Sequence, residues 1–437
     1  MPPPRFADHR RHFALIQAAI GRAADPGAAV RARLSRSRSA IRVGGRLFPL
    51  KPGSQVVVIG FGKAAAAMAQ AAAEILGDAW TRGLVVVPHG SGRARLPRTE
   101  TVEAGHPLPD EGSLLAGREA ERLLAGLERR DYVLALVSGG GSALLELPRE
   151  GLALDDLRAT QGLLLRSGAP IEDLNTVRRA LSRLKGGGLA RLASPARTLG
   201  LILSDVVGDR LEAIASGPTV LAAAPGPGFG LKVLRRSGIE AQVPSAVLAT
   251  LANPPAPRRP APRPFNQIVA GNRGALAAAR REAQDLGFKT RLITARMTGE
   301  AREVGAAVAR RLRRAVQTPV AHLLGGETTV TVRGSGRGGR NQELALAAAI
   351  ELEGAAGVAL MALATDGVDG PTDSAGAIVT GATMPRLRQE GVDPAAALDA
   401  NDSYPALERA GALIRSGPTG TNVSDIVVAL RYPHEAE

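Results

Sequence analysis

The residues best placed to do chemistry crowd into one stretch near the C-terminal end. An apolar run from Val358 to Ala364 stops at Thr365 and is followed by Asp366, Asp369 and Asp373 in a turn rich in glycine and proline. Carboxylates just beyond the carboxyl end of a buried strand stand where open α/β sheets take ligands and where hard cations find oxygen donors. Upstream, GGETTVTVRGSGRGGRNQE reads as Glu327 before a short strand (328–332), a glycine-rich loop, and a helix opening at Arg340 or Asn341. A helix start behind such a loop presents unpaired N–H groups and the positive end of the dipole, and Arg340 adds a forked donor to that anion site. An anion site paired with an acidic site points to phosphate chemistry with Mg2+. Glycine and aspartate are also ordinary turn formers, so the reading rests on further segments.

Three such segments lie upstream. VVVIGFGKAA places a strand, a tight turn through Gly60 and Gly62, and Lys63 in the first turn of a helix. A cation there opposes the helix dipole and calls for an anion beside it. Gly60 to Ala65 also fits the G-x-G-x-x-A fingerprint of dinucleotide binding. The following strand, however, ends in Pro88-His89-Gly90, without the carboxylate that would hold the ribose of NAD. YVLALVSGGGSALL ends a strand in Ser138, Gly139, Gly140, Gly141 and Ser142, a run of small residues that lets a ligand approach the backbone closely and offers N–H and hydroxyl donors. Arg178, Ser182 and Lys185 recur at helical spacing, so one helix face would present them to a carboxylate or phosphate. A solvated basic stripe reads the same way. Asp205, after the strand LGLILS, adds another acid at a strand end, and His106 sits in a turn before a helix.

These residues need a scaffold of alternating strands and helices, and the 437 residues suffice for two or three domains. NPPAPRRPAPRP marks the boundary: an N-terminal domain over 1–255, a proline-rich linker over 256–264, and a C-terminal domain over 265–437. The basic segment 31–46 reads as exposed. No apolar run approaches the ~20 residues that span a bilayer, and the N-terminus carries no apolar signal core, so a cytoplasmic address and no membrane partner are expected. The formal charge of +14 raises nucleic acid as a partner, but only 3% of residues are aromatic and the arginines are spread out, so none is expected.

With these residues in view, the chain resembles the two-domain glycerate 2-kinase family, some members of which carry a hydroxypyruvate reductase label. The resemblance runs from about residue 13 to 430. It rests on GFGKAA (60–65), AGHPLPDEGS (104–113), LVSGGGSALL (136–145), NTVRRALSRLKGGGLA (175–190), LSDVVGDRLEAIASGPT (203–219), GGETTV (325–330), GRGGRNQE (336–343), TDGVDGPTDSAG (365–376) and GPTGTNVSD (417–425). Departures are small, such as Ser416 and Ser424 at the ends of the last motif and the basic 31–46 segment. The resemblance implies an α/β fold: an N-terminal Rossmann-like α/β/α domain and a smaller C-terminal α/β domain, with the active site in the cleft between them. It further implies ATP-dependent phosphorylation of the 2-hydroxyl of D-glycerate with Mg2+, with Lys63, Arg340 and Asp366 catalytic. Asp366 is then a base or a metal ligand; Asp205, Glu327, Asp369 and Asp373 are the other candidates for Mg2+. Gly62, the 138–142 loop, Arg178, Lys185 and Asn341 would bind nucleotide or glycerate, the two alternatives staying open. The rival reading is an NAD(P)H-dependent hydroxypyruvate reductase. A homodimer is kept open as the assembly.

Overall fold

The computed structural model describes residues 4–92, 95–221, 226, 228–253 and 260–433. They form two compact α/β units. One comprises residues 26–204 and 209–269; the other comprises 1–25, 205–208 and 270–437.

The first of these begins with a small antiparallel sheet, β1 (Leu34–Arg36), β2 (Ala40–Val43) and β3 (Arg46–Pro49). This corrects the expectation that 31–46 is simply an exposed basic stretch. Leu34, Ala40, Ile41, Val43 and Phe48 are buried while Arg42 and Arg46 alternate outward, a two-residue period that arginine-rich composition concealed. Phe48 meets Tyr132 edge to face and Phe265 at a tilt, with ring separations of 6.1 and 5.4 Å. The main sheet holds β4 (Val56–Phe61), β5 (Trp80–Pro88), β6 (Thr99–Ala104), β7 (Tyr132–Val137), β8 (Arg197–Leu203) and β9 (Phe265–Ala270), in the order β6-β5-β4-β7-β8-β9. The five strands from β6 to β8 are parallel. This is the doubly wound order, whose direction of progression reverses between β4 and β7, so the loops leaving those two strands flank the crevice where such sheets bind ligands. Every residue of β4 is buried, as a strand covered by helices on both faces requires.

The other unit is built on a mixed sheet, β10 (Lys289–Met297), β11 (Val320–Gly326), β12 (Val358–Ala364), β13 (Gly376–Thr380), β14 (Leu413–Ile414) and β15 (Asp425–Arg431). Its order is β10-β11-β15-β12-β13-β14, with only β10 and β11 parallel. The helices Ala301–Leu312 and Arg340–Leu352 pack together and contribute Val308, Leu312, Leu344 and Ala348 to a core with Leu360, Ala362 and Val427. The helix Asn272–Asp285, backed by His9–Ala24, packs on β10, β11 and β15. With helices on the sheet, every residue of β12 and β15 is buried, which is why both read as unbroken apolar runs.

The units divide differently from the expected domains. Phe265–Ala270 does not open the C-terminal unit but completes the first sheet beside β8, and the N-terminal helix belongs with the C-terminal segment. Of the proline-rich linker, 256–259 lie outside the described residues, and 260–264 lead straight into β9. Among the described residues, no helix is long and apolar enough to cross a membrane. Because Phe48 is 2% exposed and anchors the small sheet, Phe48→Ala is expected to destabilise the protein by about 3 kcal/mol, read as a lowered midpoint in urea denaturation.

Candidate functional site

In the first unit the loops after β4 and β7 interlock. The N–H of Ser138 donates to the Phe61 carbonyl (3.1 Å), that of Lys63 to the Gly139 carbonyl (2.9 Å), and that of Ala64 to Ser138 Oγ (3.1 Å). Only glycine fits at 62: its φ is +123°, and a Cβ there would stand 2.2 Å from Ser138 Oγ. Ser138 is therefore a buried lock between loops, and Ser142 gives its hydroxyl to a second chain of contacts, Ser142 Oγ to Ser216 Oγ (2.8 Å) and Ser216 Oγ to Asn175 Oδ1 (2.8 Å). Gly140 adopts φ +83°, and the place of its absent Cβ lies 3.1 Å from His106 Cδ2 and 3.5 Å from Lys63 Cγ. Lys63, itself exposed, and His106 thus border the glycine loop. Partial burial of the His106 ring, with Lys63 and Arg178 as neighbouring cations, lowers its pKa and favours the neutral imidazole.

Arg178 and Lys185 do not share a helix face. The helix Ile171–Leu181 ends before Ser182, which is extended, and Lys185 lies in the turn beyond. The spacing argument fails because the SRLKGGG segment leaves the helix one residue after Leu181. Both cations nonetheless sit near one carboxylate, Glu146, which the sequence reading missed. Lys185 Nζ donates to Glu146 Oε2, with the two side chains 2% and 0% exposed. Burial lowers the Lys185 pKa and Glu146 opposes it. Arg178 donates from Nε to Gln161 Oε1 (3.1 Å); its pKa is pushed down to about 10 by burial against the pull of Glu146, so it stays charged at neutral pH.

In the other unit, strand register assembles the acids. Asp425, first residue of β15, is paired with Gly326 of β11 on one side and Ala364 of β12 on the other. Glu327 and Asp366 follow those strand ends closely, so all three reach the same sheet edge. Arg340, opening the helix Arg340–Leu352, binds Asp425 through Nε and Nη2 (2.5 and 2.9 Å) and Glu327 through Nη1 (3.0 Å). Burial works against the Arg340 charge, but Asp425 and Glu327 outweigh it and raise its pKa. Glu327 is held above the usual range by its surroundings and by Asp425, Asp205 and Asp366, with Arg340 opposing. Water reaches 45% of its side chain, which tempers that effect. Asp205 enters this cluster through its backbone as well, its carbonyl accepting from Ser424 Oγ (2.8 Å).

The helix start at Arg340 is not an open anion site. Asp369 fills it, its Oδ1 accepting from the Asn341 N–H (3.1 Å) and its Oδ2 from the Gln342 N–H (2.8 Å), and the Asn341 side chain also donates to it (3.2 Å). The expected strand 328–332 is also absent. A single bridge, Glu300 with Thr329, stands in its place, and the loop folds instead on Asn401 and Asp402, where glycines 334 and 336 admit no side chain. Asp373 stands apart from the cluster's ion pairs and accepts from Tyr404 Oη (2.7 Å) and Arg415 Nε (3.4 Å). Asp425 and Glu146 are the site residues the sequence reading passed over. The signal for each was a lone acid bordering or interrupting an apolar run, in SDIVVAL and ALLELP.

Whether the cluster suits Mg2+ follows from its donors. Glu327, Asp366 and Asp205 supply only oxygen ligands, and their mutual repulsion at Glu327 is what a cation would relieve. Among the described residues, no three acidic or histidine side chains stand ready to enclose a metal by themselves. Mg2+ ordinarily takes one or two carboxylates and completes its shell with phosphate and water, so the donor set fits a metal that arrives with a nucleotide.

A doubly wound unit and a mixed-sheet unit, each ending its central strands in a dense polar cluster, define a two-unit α/β enzyme class. Residues 12–252 match the family described as "Domain of unknown function (DUF4147)" and 320–425 match the MOFRL family. Relatives include the D-glycerate 2-kinase of Thermotoga maritima, 44% identical over 86% of this chain and 90% of that protein, and the glycerate 2-kinase of Pyrococcus horikoshii, 42% identical over 94% of each. The crystal structure of the T. maritima glycerate kinase superposes with a TM-score of 0.85 at 39% identity, covering 97% of this chain and all of that one. The chain belongs to the glycerate 2-kinase family.

Two expectations follow from the buried groups. Glu146→Gln leaves Lys185 buried without its partner and is expected to cost roughly 3 kcal/mol, whereas Glu146→Gln combined with Lys185→Met recovers most of that loss; a double-mutant cycle in urea checks it. Burial, opposed by the N–H groups of Gln342 and Asn341, raises the Asp369 pKa to about 6. A raised carboxyl pKa contributes stability that is complete below the unfolded value and is lost as pH climbs through the folded one. Wild type should therefore lose on the order of 2 kcal/mol relative to Asp369→Asn between about pH 4.5 and about pH 7, measured by chemical denaturation at both.

Proposed function

We propose that this protein transfers the γ-phosphoryl group of ATP to the 2-hydroxyl of D-glycerate, giving 2-phosphoglycerate and ADP. The observation that carries the reading is the edge of the mixed sheet, where Asp366 joins Glu327, Asp205 and the Arg340–Asp425 pair. The glycine loop of the doubly wound unit, bordered by Lys63, brings a cation of its own. In the transfer the glycerate 2-oxygen bonds to the γ-phosphorus, the bond to the bridging oxygen breaks, and the hydroxyl proton must leave. Asp366 is the base for that proton. It follows β12 on a turn where its Oδ1 accepts from the Val368 N–H (3.2 Å), and the Thr419 N–H holds its carbonyl (3.0 Å). Lys63 carries positive charge for the phosphoryl group as it moves, which is the main service phosphoryl transfer asks of a protein. Arg340 supplies charge to the acidic cluster and fixes Asp425 and Glu327 in place. Mg2+, held by Glu327 and Asp205, would neutralise phosphate charge.

An oxidoreductase reading finds less support. Where a dinucleotide fold needs a carboxylate at the end of its second strand, β5 ends in Pro88, and the next residue, His89, is already bonded to Asp110 (2.5 Å). The kinase reading also makes this a cytoplasmic enzyme of small anionic substrates, with neither nucleic acid nor membrane among its partners.

Incubation with D-glycerate, ATP and Mg2+ should give a product whose 31P NMR spectrum is that of 2-phosphoglycerate; the 3-phosphate or no product would sink the proposal. Lys63→Ala should lower kcat by about 100-fold or more in a folded protein. Asp366→Asn should lower kcat by about 100-fold or more while leaving the Mg2+ requirement unchanged; a raised requirement would make Asp366 a metal ligand instead.

A further inference from the structure

We infer that Arg178, together with the Gly139 and Gly140 N–H groups, is the carboxylate-recognition element of the substrate site, and that Lys185 takes no part in binding. This deepens the kinase reading and rests on it for the identity of the substrate. It also decides between the two ligands open for the 138–142 loop, in favour of the acid substrate over the nucleotide phosphates.

The argument begins with charge. Arg178 is 7% exposed, and among the described residues its one hydrogen bond is from Nε to Gln161 Oε1. A guanidinium has five N–H donors in a fixed fork, and among the described residues neither Nη1 nor Nη2 of this side chain makes a hydrogen bond, while neither is fully enclosed, so a ligand can reach them. A buried charge in that condition is costly unless an anion completes it. Glu146 does not do so. Its Oε2 accepts from Lys185 and its Oε1 from the Leu147 N–H (3.0 Å), which leaves it a distant attraction for Arg178 and closes off Lys185 in the interior. The two cations that the sequence spacing grouped together are thus separated by the structure: one is neutralised in the core, the other is held ready.

Geometry then selects the ligand. With Nε tied to Gln161, the free edge of Arg178 is the one formed by its two terminal nitrogens, which matches the two oxygens of a carboxylate. The helix that carries Arg178 is tied to the loop through Asn175, Ser216 and Ser142; the Arg178 charge is felt at His106, and His106 touches the place a Gly140 Cβ would occupy. The N–H groups of Gly139 and Gly140 have no partner among the described residues, whereas the hydroxyls of Ser138 and Ser142 are already spent on Ala64 and Ser216. Two adjacent backbone donors, one buried fork and a neutral imidazole accommodate a small planar monoanion. Lys63 borders the same face of Gly140 as His106, and its charge serves the phosphoryl group.

The test uses the full-length enzyme with D-glycerate, ATP and Mg2+, varying each substrate in turn. Arg178→Gln should raise the KM for D-glycerate by about 100-fold or more and leave the KM for ATP within about 3-fold. It should also abolish the preference of wild type for D-glycerate over its uncharged amide. Arg178→Lys, which keeps the charge but not the fork, should raise the glycerate KM by about 10-fold, and it carries the test if Arg178→Gln does not fold. An unchanged glycerate KM in a folded variant overturns the inference, as does a rise confined to ATP, which would give the loop to nucleotide phosphates. Failure of wild type to phosphorylate D-glycerate would instead overturn the kinase reading. Calorimetric binding of D-glycerate alone to wild type and Arg178→Gln would then still judge Arg178, equal affinities overturning its role.

Discussion

The register of one strand governs the acidic cluster. β15 runs antiparallel to both of its neighbours, so its first residue is set against the carboxyl ends of β11 and β12 at once. Asp425 is therefore pinned opposite Gly326 and Ala364, with Glu327 and Asp366 following those partners. A one-residue slip would turn Asp425 to the other face and bring Ser424 or the core residue Ile426 to the edge in its place. Buried on both faces, β15 cannot slip without repacking every side chain of IVVAL against the elements that cover it. The hydrophobic energy of the sheet thus holds together carboxylates that repel one another. Arg340 makes the gathering tolerable: its bidentate bond to Asp425 and single bond to Glu327 place one positive charge among the negative ones.

The other unit solves a related problem with backbone instead of charge. Its parallel sheet reverses direction between β4 and β7, and the loops leaving those strands are tied by three hydrogen bonds through Ser138, Lys63 and Ala64. Gly62 and Gly140 are small because other parts of the chain occupy the space a side chain would need. The glycines then serve two purposes. One lets the loops lock; the other opens backbone donors toward a ligand.

What was legible in the sequence follows the same division. Motifs whose function depends on local backbone geometry could be read directly: the Gly60 to Lys63 turn, the 138–142 loop, and the strand ending before Asp366. Partners separated by long stretches of chain could not. Nothing in ALLELP names Lys185 as the mate of Glu146, and nothing in TNVSD names Arg340 as the mate of Asp425, because those pairs are made by topology. The helix start at Arg340 misled for the opposite reason. Its sequence does describe an anion site, but the anion is Asp369 of the same chain, brought there by the turn after β12. The basic 31–46 segment and the proline-rich break misled through composition: arginines alternating with buried apolar residues made a sheet, and prolines led into a strand of the first unit.

The net charge of the chain conceals how its signs are arranged. The surplus of +14 reads as a uniformly basic protein, yet the polar cluster of the mixed-sheet unit holds Glu327, Asp366, Asp205 and Asp425 around one arginine. The cluster of the doubly wound unit holds Lys63 and Arg178, with Glu146 committed to Lys185. Opposite local signs suit a reaction whose two substrates are both anions but are handled differently. A nucleotide that carries a divalent cation can approach carboxylates, because the metal inverts the local sign. A small acid without a metal cannot, and it needs a buried guanidinium and backbone N–H groups instead. In the proposed reaction, the carboxylates meet the nucleotide through its metal and the Arg178 fork meets the small acid, so neither set of side chains repels the anion assigned to it.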